Sequence, residues 1–267
     1  MIHRIDHLVI ISPELEKAVA DAREAGFTVV PGGTHADGAT HNALIAFADG
    51  SYIELISPVH GTQGKSHRWF PRLEAGGGLV DICLGSDDMV ADVREINNRG
   101  RAYSAPIENG RLRPDGVELR WKGSMPPGPV GGTGWPFLIE DVSPRELRVP
   151  QDPADVSHAN GALGVAGVTI ITNDLAGTTG DYEAITNREA RTMTSPLEDT
   201  PLATFINFEH SWLMITQPTA GQALAHLEQY GQGPYSAVLR THDGPITPGA
   251  GKAIDPNLLG GAHFELN

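Results

Sequence analysis

Two ionisable side chains lie in stretches of the sequence that are otherwise apolar. His7 lies within Ile5–Ile11, and Glu54 lies within Tyr52–Ile56. Both stretches have the composition of buried β-strands, where an unpaired carboxylate or imidazole loses its hydration. An imidazole together with a carboxylate suits Mn²⁺, Fe²⁺, Co²⁺, Ni²⁺ or Zn²⁺. We therefore predict that His7 and Glu54 are ligands of one divalent metal ion. The alternative is that they bond to each other or to an arginine and only connect two strands.

A loop in the same part of the chain offers further groups. His35 and His41 flank a glycine-containing loop, Thr34–Thr40, which suits the mouth of a cavity. Loops on a rigid scaffold often carry the residues that contact a ligand. We predict that His35 contacts a substrate, and a second metal ligand from this loop is an open alternative.

Three arginines precede a tryptophan at positions that suit substrate binding. Arg111, Arg113 and Arg120 alternate with other residues toward Trp121. The guanidinium fork pairs well with a carboxylate or an enediolate. We predict that Arg113 and Trp121 contact the substrate, and the alternative is that the arginines line a solvated strand edge.

Composition limits the partners of the chain. The 267 residues carry a formal net charge of −14 and have no basic stripe, which argues against binding to nucleic acid or to an anionic membrane surface. Cys83 is the one cysteine, so no internal disulfide can form and a reducing compartment is natural. The first strand pattern follows Met1 almost directly, and no apolar stretch has the length of a bilayer span. We expect a cytoplasmic protein with a small-molecule substrate.

Strands and helices must position these residues, and the sequence indicates their order. Pro31-Gly32-Gly33 is interpreted as a loop, and Asp49-Gly50 as a hairpin turn. The first unit is then one strand, one helix and three strands, at Ile5–Ile11, Ser12–Gly26, Phe27–Val30, Asn42–Ala48 and Tyr52–Ile56.

The unit recurs at an offset of 160 residues. Ile5–Leu15 aligns with Val165–Leu175 without a gap, so that His7 falls on Gly167. Ser51–Pro58 aligns in the same way with Ser211–Pro218, so that Glu54 falls on Met214. An internal repeat of this kind predicts repeated structural modules. The apolar frame is kept in both copies, whereas the ionisable pair is kept in only one.

Two more units complete the pattern. Leu138–Pro144 echoes Tyr52–Pro58, which aligns Glu140 with Glu54 and Asp81 with His7. A shortened fourth unit runs from Tyr235 to the C-terminus. We predict an α+β fold of four tandem βαβββ modules, in two domains at 1–148 and 160–267, with 149–159 as the linker.

Several motifs resemble one family. The chain resembles the vicinal oxygen chelate superfamily, and its glyoxalase-like domain branch in particular, through Ile5-Asp6-His7-Leu8-Val9-Ile10, Pro31-Gly32-Gly33-Thr34-His35, Tyr52-Ile53-Glu54-Leu55, Arg113-Pro114-Asp115-Gly116 with Trp121, and Trp135-Pro136-Phe137 leading to Glu140. The resemblance implies that each pair of modules curls into a half-barrel, so that the chain forms two half-barrel domains.

The same resemblance implies a divalent metal held by the first and last strands of each module. Those positions are His7 and Glu54, then Asp81 and Glu140. The superfamily often has a histidine at the position of Asp81, and its absence lowers the expectation of an iron site with two histidines. We predict that Glu140 or Asp81 is catalytic and moves a proton, because a carboxylate beside a metal-bound carbonyl is well placed to do so. Asp81 facing solvent or pairing with Arg113 is the alternative.

Three functions remain in view. The first is a metal-dependent isomerase or lyase of the glyoxalase type, acting on a small carbonyl or hydroxy compound. The second is a binding or resistance protein with an aromatic pocket and no metal. The third, a ring-cleaving dioxygenase, needs a second histidine ligand from His35, His41 or another loop residue. The resemblance also implies that a homodimer is an option for assembly.

Overall fold

The computed structural model of the chain describes residues 1–61, 67–113, 115–242 and 244–267, so that Pro114 of the arginine motif lies outside the described residues. The described part of the first 148 residues contains eight strands and four helices: β1 Ile2–Ile11, α1 Leu15–Glu24, β2 Val30–His35, β3 Thr40–Ala46, β4 Tyr52–Pro58, α2 Phe70–Leu73, β5 Gly78–Ser86, α3 Met89–Asn98, β6 Ile107–Leu112, β7 Glu118–Ser124, β8 Phe137–Asp141 and α4 Arg145–Arg148.

These eight strands form one closed barrel in the order β1-β4-β3-β2-β6-β7-β8-β5. The pairs β1/β4 and β5/β8 are parallel, and the other neighbours are antiparallel. Each module therefore contributes four consecutive strands of the barrel. The two modules meet along β1/β5 on one side and along β2/β6 on the other.

A second sheet follows, built from β9 Gly164–Ile171, α5 Leu175–Thr186, β10 Arg191–Thr194, β11 Leu202–Asn207, β12 Trp212–Thr216, α6 Gly221–Tyr230, β13 Gly233–Arg240, β14 Lys252–Ala253, a 3-10 turn at Pro256–Leu259, and β15 His263–Leu266. Its strand order is β10-β11-β12-β9-β13-β15-β14. β9 pairs in parallel with β12 and sets Gly167 opposite Trp212, just as His7 lies opposite Tyr52 in the barrel. The predicted α+β fold with paired modules is confirmed.

The local sequence explains most of these elements. β1 is buried over Ile5–Ile11 because the barrel interior covers one face and the main core covers the other. α3 begins where the Asp88 side chain accepts a hydrogen bond from the Ala91 amide, which satisfies one of the free N–H groups at the helix start. Apolar residues of both sheets, such as Ile10 and Ile170, belong to one continuous core.

Two strands differ from the sequence prediction. The second strand was predicted at Phe27–Val30, but β2 begins only at Val30 and runs through Pro31-Gly32-Gly33, which was predicted to be a loop. β6 was not predicted, because Ile107–Leu112 is exposed over most of its length and shows no apolar alternation. Both strands lie where the two modules join, and hydrogen bonding between β2 and β6 holds them there although neither has an apolar sequence pattern.

The segment 149–159, predicted to be a linker, is bonded to the barrel. The Thr28 amide donates to Nδ1 of His158 at 3.0 Å, and Nε2 of His158 contacts the Ala46 carbonyl oxygen at the same distance. No helix within the described ranges combines the length and the apolar character that a bilayer crossing needs.

Candidate metal centre and cavity

The barrel contains a cavity of about 220 Å³, and Trp69, Phe137 and Ile139 of one small apolar cluster line it. Because side chains alternate along a strand, every second residue of each strand points into the barrel. His7 and Glu54 lie inside, with Tyr52 in one apolar cluster and Ile56 in the other. The lining residues also include His35, Asp37, Asn42, His67, Trp69, Arg111, Trp121, Met125, Phe137 and Arg148.

Two imidazoles face the two oxygens of one buried carboxylate. Nε2 of His7 lies 3.7 Å from Oε2 of Glu54, and Nε2 of His35 lies 3.5 Å from Oε1. Parallel pairing of β1 and β4 sets the first relationship, and the β2–β3–β4 meander sets the second. The structure therefore brings together three residues singled out in the sequence, and it adds His35 to the predicted pair.

A β-bulge orients His7. The register between β1 and β5 shifts between Ile5 and His7, so that Asp6 has no residue opposite it on β5. This irregularity lets the Asp6 carboxylate turn toward the neighbouring imidazole. Nδ1 of His7 lies 2.8 Å from Oδ1 of Asp6. We assign the ring proton to Nδ1, because a carboxylate can only accept; Nε2 then keeps its lone pair and faces the cavity.

Asp6 is held as an anion. Arg148 donates to both of its oxygens at 3.0 and 3.2 Å, and Arg145 donates to Oδ2 at 2.5 Å. Burial alone would raise the pKa of Asp6, but the two guanidinium groups and His7 hold it well below the usual value. Arg148 follows β8 in α4, so the chain that closes the barrel also fixes the orientation of His7.

His35 is held in a similar way by a hydroxyl. Its Nδ1 lies 2.7 Å from Oγ1 of Thr40, across the turn between β2 and β3. Burial lowers the pKa of His35 although Glu54 opposes the effect, so the ring is neutral at neutral pH. With its proton assigned to Nδ1, the ring presents Nε2 toward Glu54 as an acceptor.

Glu54 is a carboxylate in spite of its burial. Burial raises its pKa, but His35, His7 and the Asn42 amide together bring the pKa below the usual value. Nδ2 of Asn42 donates to Oε1 at 2.5 Å. The site thus offers the Nε2 atoms of two imidazoles and one anionic carboxylate.

This donor set fits a divalent transition metal. Separations of 3.5 and 3.7 Å are long for hydrogen bonds, but they are close to the about 3.4 Å that separates tetrahedral ligands of zinc. One ligand atom from each of His7, His35 and Glu54 cannot all lie within 4.8 Å of one another, so these three side chains would have to move closer together to hold one ion. Two histidines and one carboxylate are ligands that Fe²⁺, Zn²⁺, Co²⁺, Ni²⁺ and Mn²⁺ accept.

Asp6, His7 and Cys83 form a tighter cluster, with donor atoms within 4.8 Å of one another. The Asp6 oxygens are already bonded to arginines, and burial raises the pKa of the Cys83 thiol well above its usual value. A protonated thiol is a poor ligand. In this cluster Asp6 orients the His7 ring. The candidate metal site therefore remains the one at Glu54.

The two predicted catalytic carboxylates lie elsewhere. Asp81 accepts from Nε1 of Trp69 at 2.8 Å and pairs with Arg68 at 3.0 Å; burial raises its pKa. Glu140 accepts from the Met89 amide at the start of α3 and from Nζ of Lys122. Neither carboxylate lines the cavity. Their surroundings are those of structural ion pairs, and we therefore leave both out of the candidate site.

The predicted substrate contacts are divided. Trp121 and His35 line the cavity, whereas Arg113 pairs with Asp115 at 2.7 Å and lines only a second pocket, which Arg111 and Arg148 also border. Arg111 reaches the cavity instead. The sequence had indicated one of these arginines. Arg111 lies within β6 opposite His35 and faces inward, whereas Arg113 lies beyond the end of that strand.

Four residues of the site escaped sequence reasoning: Asp6, Asn42, His67 and Arg148. Asp6 stood beside His7 in the quoted motif, but alternation placed it on the opposite face of β1, and only the bulge changes this. Arg148 lies after the last strand of the barrel, where the sequence has no strand periodicity that could predict an inward-facing side chain. Asn42 begins a predicted strand and carried no chemical signal of its own.

Comparison with known proteins agrees with this architecture. The family model described as "Glyoxalase-like domain" matches residues 5–186, from β1 to the end of α5. No curated protein matches the chain.

Solved structures share the fold at low identity. A hypothetical protein from Staphylococcus aureus has a TM-score of 0.72 and 14% identity, with 98% of both chains covered. A mutant of 4-hydroxymandelate synthase from Streptomyces coelicolor has a TM-score of 0.62 and 14% identity, covering 91% of this chain and 72% of that chain. A fusion of a xylose isomerase-like TIM barrel with 4-hydroxyphenylpyruvate dioxygenase has a TM-score of 0.56 and 12% identity, covering 91% and 37%. At these identities the likeness shows the fold alone.

Proposed function

The chain belongs to the glyoxalase-like domain family of the vicinal oxygen chelate superfamily, and on this basis we propose that it is a divalent-metal-dependent enzyme acting on a small oxygenated compound. Members of the superfamily typically bind a divalent metal. The observation that carries the proposal is the convergence of His7 and His35 on the two oxygens of Glu54 inside a cavity.

His7, His35 and Glu54 would hold the metal. A metal bound there would act as a Lewis acid toward a carbonyl or hydroxyl oxygen of the substrate. Asp6 keeps Nε2 of His7 directed at the site through its bond to Nδ1. Asn42 holds the Glu54 carboxylate in place from the other side.

The reaction we favour is an isomerase or lyase step, in which a proton moves on the substrate. Besides the three donors, His67 and Asp37 are the acid–base groups that line the cavity, and Asp37 is exposed. Burial lowers the pKa of His67, so its ring is unprotonated at neutral pH and can accept a proton. We assign proton transfer to the His67 ring. Trp121 and Phe137 form an apolar part of the cavity wall, which would limit the access of water to the substrate.

Metal content tests the proposal directly. Wild-type protein and the His7→Ala, His35→Ala and Glu54→Gln variants are purified without chelators, incubated with Mn²⁺, Fe²⁺, Co²⁺, Ni²⁺ or Zn²⁺ in turn, and analysed for metal after desalting. His41→Ala is the matched control, because His41 lies on β3 near the site but does not line the cavity. We expect about one equivalent of metal in the wild type and the control, and little in the three variants.

Two results would contradict the proposal. Unchanged metal content in His35→Ala and Glu54→Gln would place the metal elsewhere. A wild type that retains none of the five metals would instead favour the binding-protein alternative, in which the aromatic cavity acts without turnover.

A second candidate, an iron-dependent oxygenase, is favoured by His35. Ring cleavage required a second histidine ligand, and two histidines with one carboxylate are the ligand set of non-haem Fe²⁺ oxygenases. Oxygen uptake by the Fe²⁺-loaded protein with an aromatic diol, unchanged in His67→Gln, would support this candidate. Absence of uptake would favour proton-transfer chemistry.

A further inference from the structure

Two arginines are fully buried among the described residues, and their surroundings differ. Arg148 is bonded to both Asp6 and Asp141, so its charge is neutralised within the protein. Arg111 is only 4% exposed, yet no carboxylate oxygen of the described residues lies within 4.0 Å of it. Among the described residues it donates hydrogen bonds to two neutral acceptors, Oδ1 of Asn42 at 3.4 Å and the Arg148 carbonyl oxygen at 3.1 Å.

A buried cation without a counter-ion is costly, and proteins rarely keep one without a use. Burial lowers the pKa of Arg111, which is the signature of this cost, and the guanidinium is nevertheless charged at neutral pH. Its side chain lines the cavity. A ligand in the cavity is therefore placed to supply the missing negative charge.

Arg111 also lies close to the candidate metal site. It is the direct cross-strand partner of His35 in the β2/β6 pairing, and such partners project to the same face of a sheet. The amide of Asn42 bridges the two parts of the cavity, because Oδ1 accepts from Arg111 while Nδ2 donates to Glu54. Only one amide group separates the guanidinium from the carboxylate.

We propose that the substrate carries an anionic group of the carboxylate type that pairs with Arg111, while an oxygen of the same molecule lies at His7, His35 and Glu54. Its apolar part packs against Trp121 and Phe137, which line the same cavity. A cavity of about 220 Å³ limits the substrate to a small acid. This inference rests on the proposed function for the position of the second oxygen, but the pairing with Arg111 does not need the metal.

The other charged groups of the cavity do not replace Arg111. Arg148 is already neutralised by its two aspartates. Glu54 attracts Arg111 only across the Asn42 amide and forms no ion pair with it within 4.0 Å, and a metal bound at the site would take up the charge of Glu54. Asp37 is exposed, and water screens its charge. Arg111 is thus the free positive group that faces a ligand.

Binding of benzoate to metal-stripped protein tests the pairing in the absence of any metal contact. Affinity is measured by calorimetry and by quenching of tryptophan fluorescence, with benzamide as the neutral ligand of the same shape. Wild type, Arg111→Gln, Arg111→Lys and the control Arg113→Gln are compared. Arg113 has the same side chain two positions further on, but it is paired with Asp115 outside the cavity.

We expect Arg111→Gln to weaken benzoate binding at least about tenfold, because a charge-assisted double hydrogen bond is lost. Arg113→Gln should bind benzoate as the wild type does, and benzamide should bind weakly to every variant. Arg111→Lys should keep part of the affinity, since it retains the charge without the fork. Thermal unfolding verifies that each variant is folded.

Equal benzoate affinity in folded wild type and Arg111→Gln would overturn the inference, as would equal affinity of the wild type for benzoate and benzamide. Metal content of Arg111→Gln separates this outcome from failure of the proposed function. A variant that keeps its metal but loses benzoate affinity supports both proposals. A wild type that binds benzoate through Arg111 but holds no metal supports this inference alone.

Discussion

His35 and Arg111 are direct cross-strand partners where β2 and β6 join the two modules of the barrel. One register therefore places a candidate metal ligand from the first module beside a free guanidinium from the second. A shift of this pairing by one residue would turn one of the two side chains out of the barrel. The seam between modules thus determines the chemistry of the cavity, although neither strand has a strong sequence signature.

Removing the charge of Asp6 should destabilise the protein and weaken metal binding. In Asp6→Asn the guanidinium groups of Arg145 and Arg148 lose their shared partner, and Arg148 is buried. We expect a loss of about 3–5 kcal/mol in the free energy of unfolding. Because His7 also loses the acceptor that orients it, metal affinity should fall about 10–100-fold.

Urea denaturation and metal titration check this prediction. Asp115→Asn is the control, since Asp115 is exposed and pairs with the partly exposed Arg113. Unaltered stability in Asp6→Asn would show that the arginines find other partners and that the bulge is not held by this network.

Gly32 is required because other side chains occupy the position of its missing one. A Cβ at Gly32 would collide with Oδ1 of Asn42 and would lie 2.7 Å from a guanidinium nitrogen of Arg111. Gly32→Ala should therefore cost about 1–3 kcal/mol and displace the Asn42–Arg111 pair. Gly180→Ala is the control, because a Cβ there meets nothing within 4 Å and α5 favours alanine. Thermal denaturation compares the two, and equal stability would mean that β2 shifts freely at this point.

Asp81 and Glu140 should behave as structural residues. Asp81→Asn removes the counter-ion of Arg68, and Glu140→Gln weakens the contacts to the start of α3 and to Lys122. We expect losses of about 1–3 kcal/mol and about 1 kcal/mol in the free energy of unfolding, with metal content unchanged in both variants.

Chemical denaturation and metal analysis check both values. The opposite pattern, in which a stable, metal-loaded Asp81→Asn or Glu140→Gln protein loses turnover, would restore the catalytic role that the sequence predicted for these carboxylates.

Stability should fall in mild acid through His226 on α6. Burial, together with Arg72 and His263, lowers the pKa of this histidine from the usual 6.5 to about 4. The unfolded chain therefore takes up a proton below pH 6.5 that the folded protein binds only near pH 4. The contribution of His226 is complete above pH 6.5 and is lost as the pH falls toward 4.

Unfolding free energies measured between pH 7.5 and pH 4 in steps of about half a unit check this sign, the range being set by the usual pKa of histidine. His226→Gln should lose less stability over this range than the wild type. His210→Gln, which changes an exposed histidine, should follow the wild type. Identical curves for wild type and His226→Gln would show that this ring is protonated in the folded state.

The amino-acid sequence by itself determined the modules and the first two candidate ligands. His7 and Glu54 lie in apolar strands and are therefore buried. A buried imidazole or carboxylate needs a hydrogen-bond, ionic or metal partner. The repeated strand–helix–strands pattern likewise determined the α+β architecture, since hydrophobic periodicity is a local property of the chain.

The tertiary structure alone decided which further residues join the site. His35 reaches Glu54 because β2 continues through three residues that resemble a loop. Arg111 faces the cavity because it lies within β6 opposite His35, whereas Arg113 lies beyond the end of that strand. Asp6 turns toward His7 through a bulge that no alternation predicts. Asp81 and Glu140 align with the candidate ligands in sequence, but both carboxylates are bonded outside the cavity. Asp81 pairs with Arg68 and Trp69, and Glu140 with Lys122 and the start of α3. The local hydrophobic pattern of the sequence does not encode which distant strands pair or which nearby charges form ion pairs.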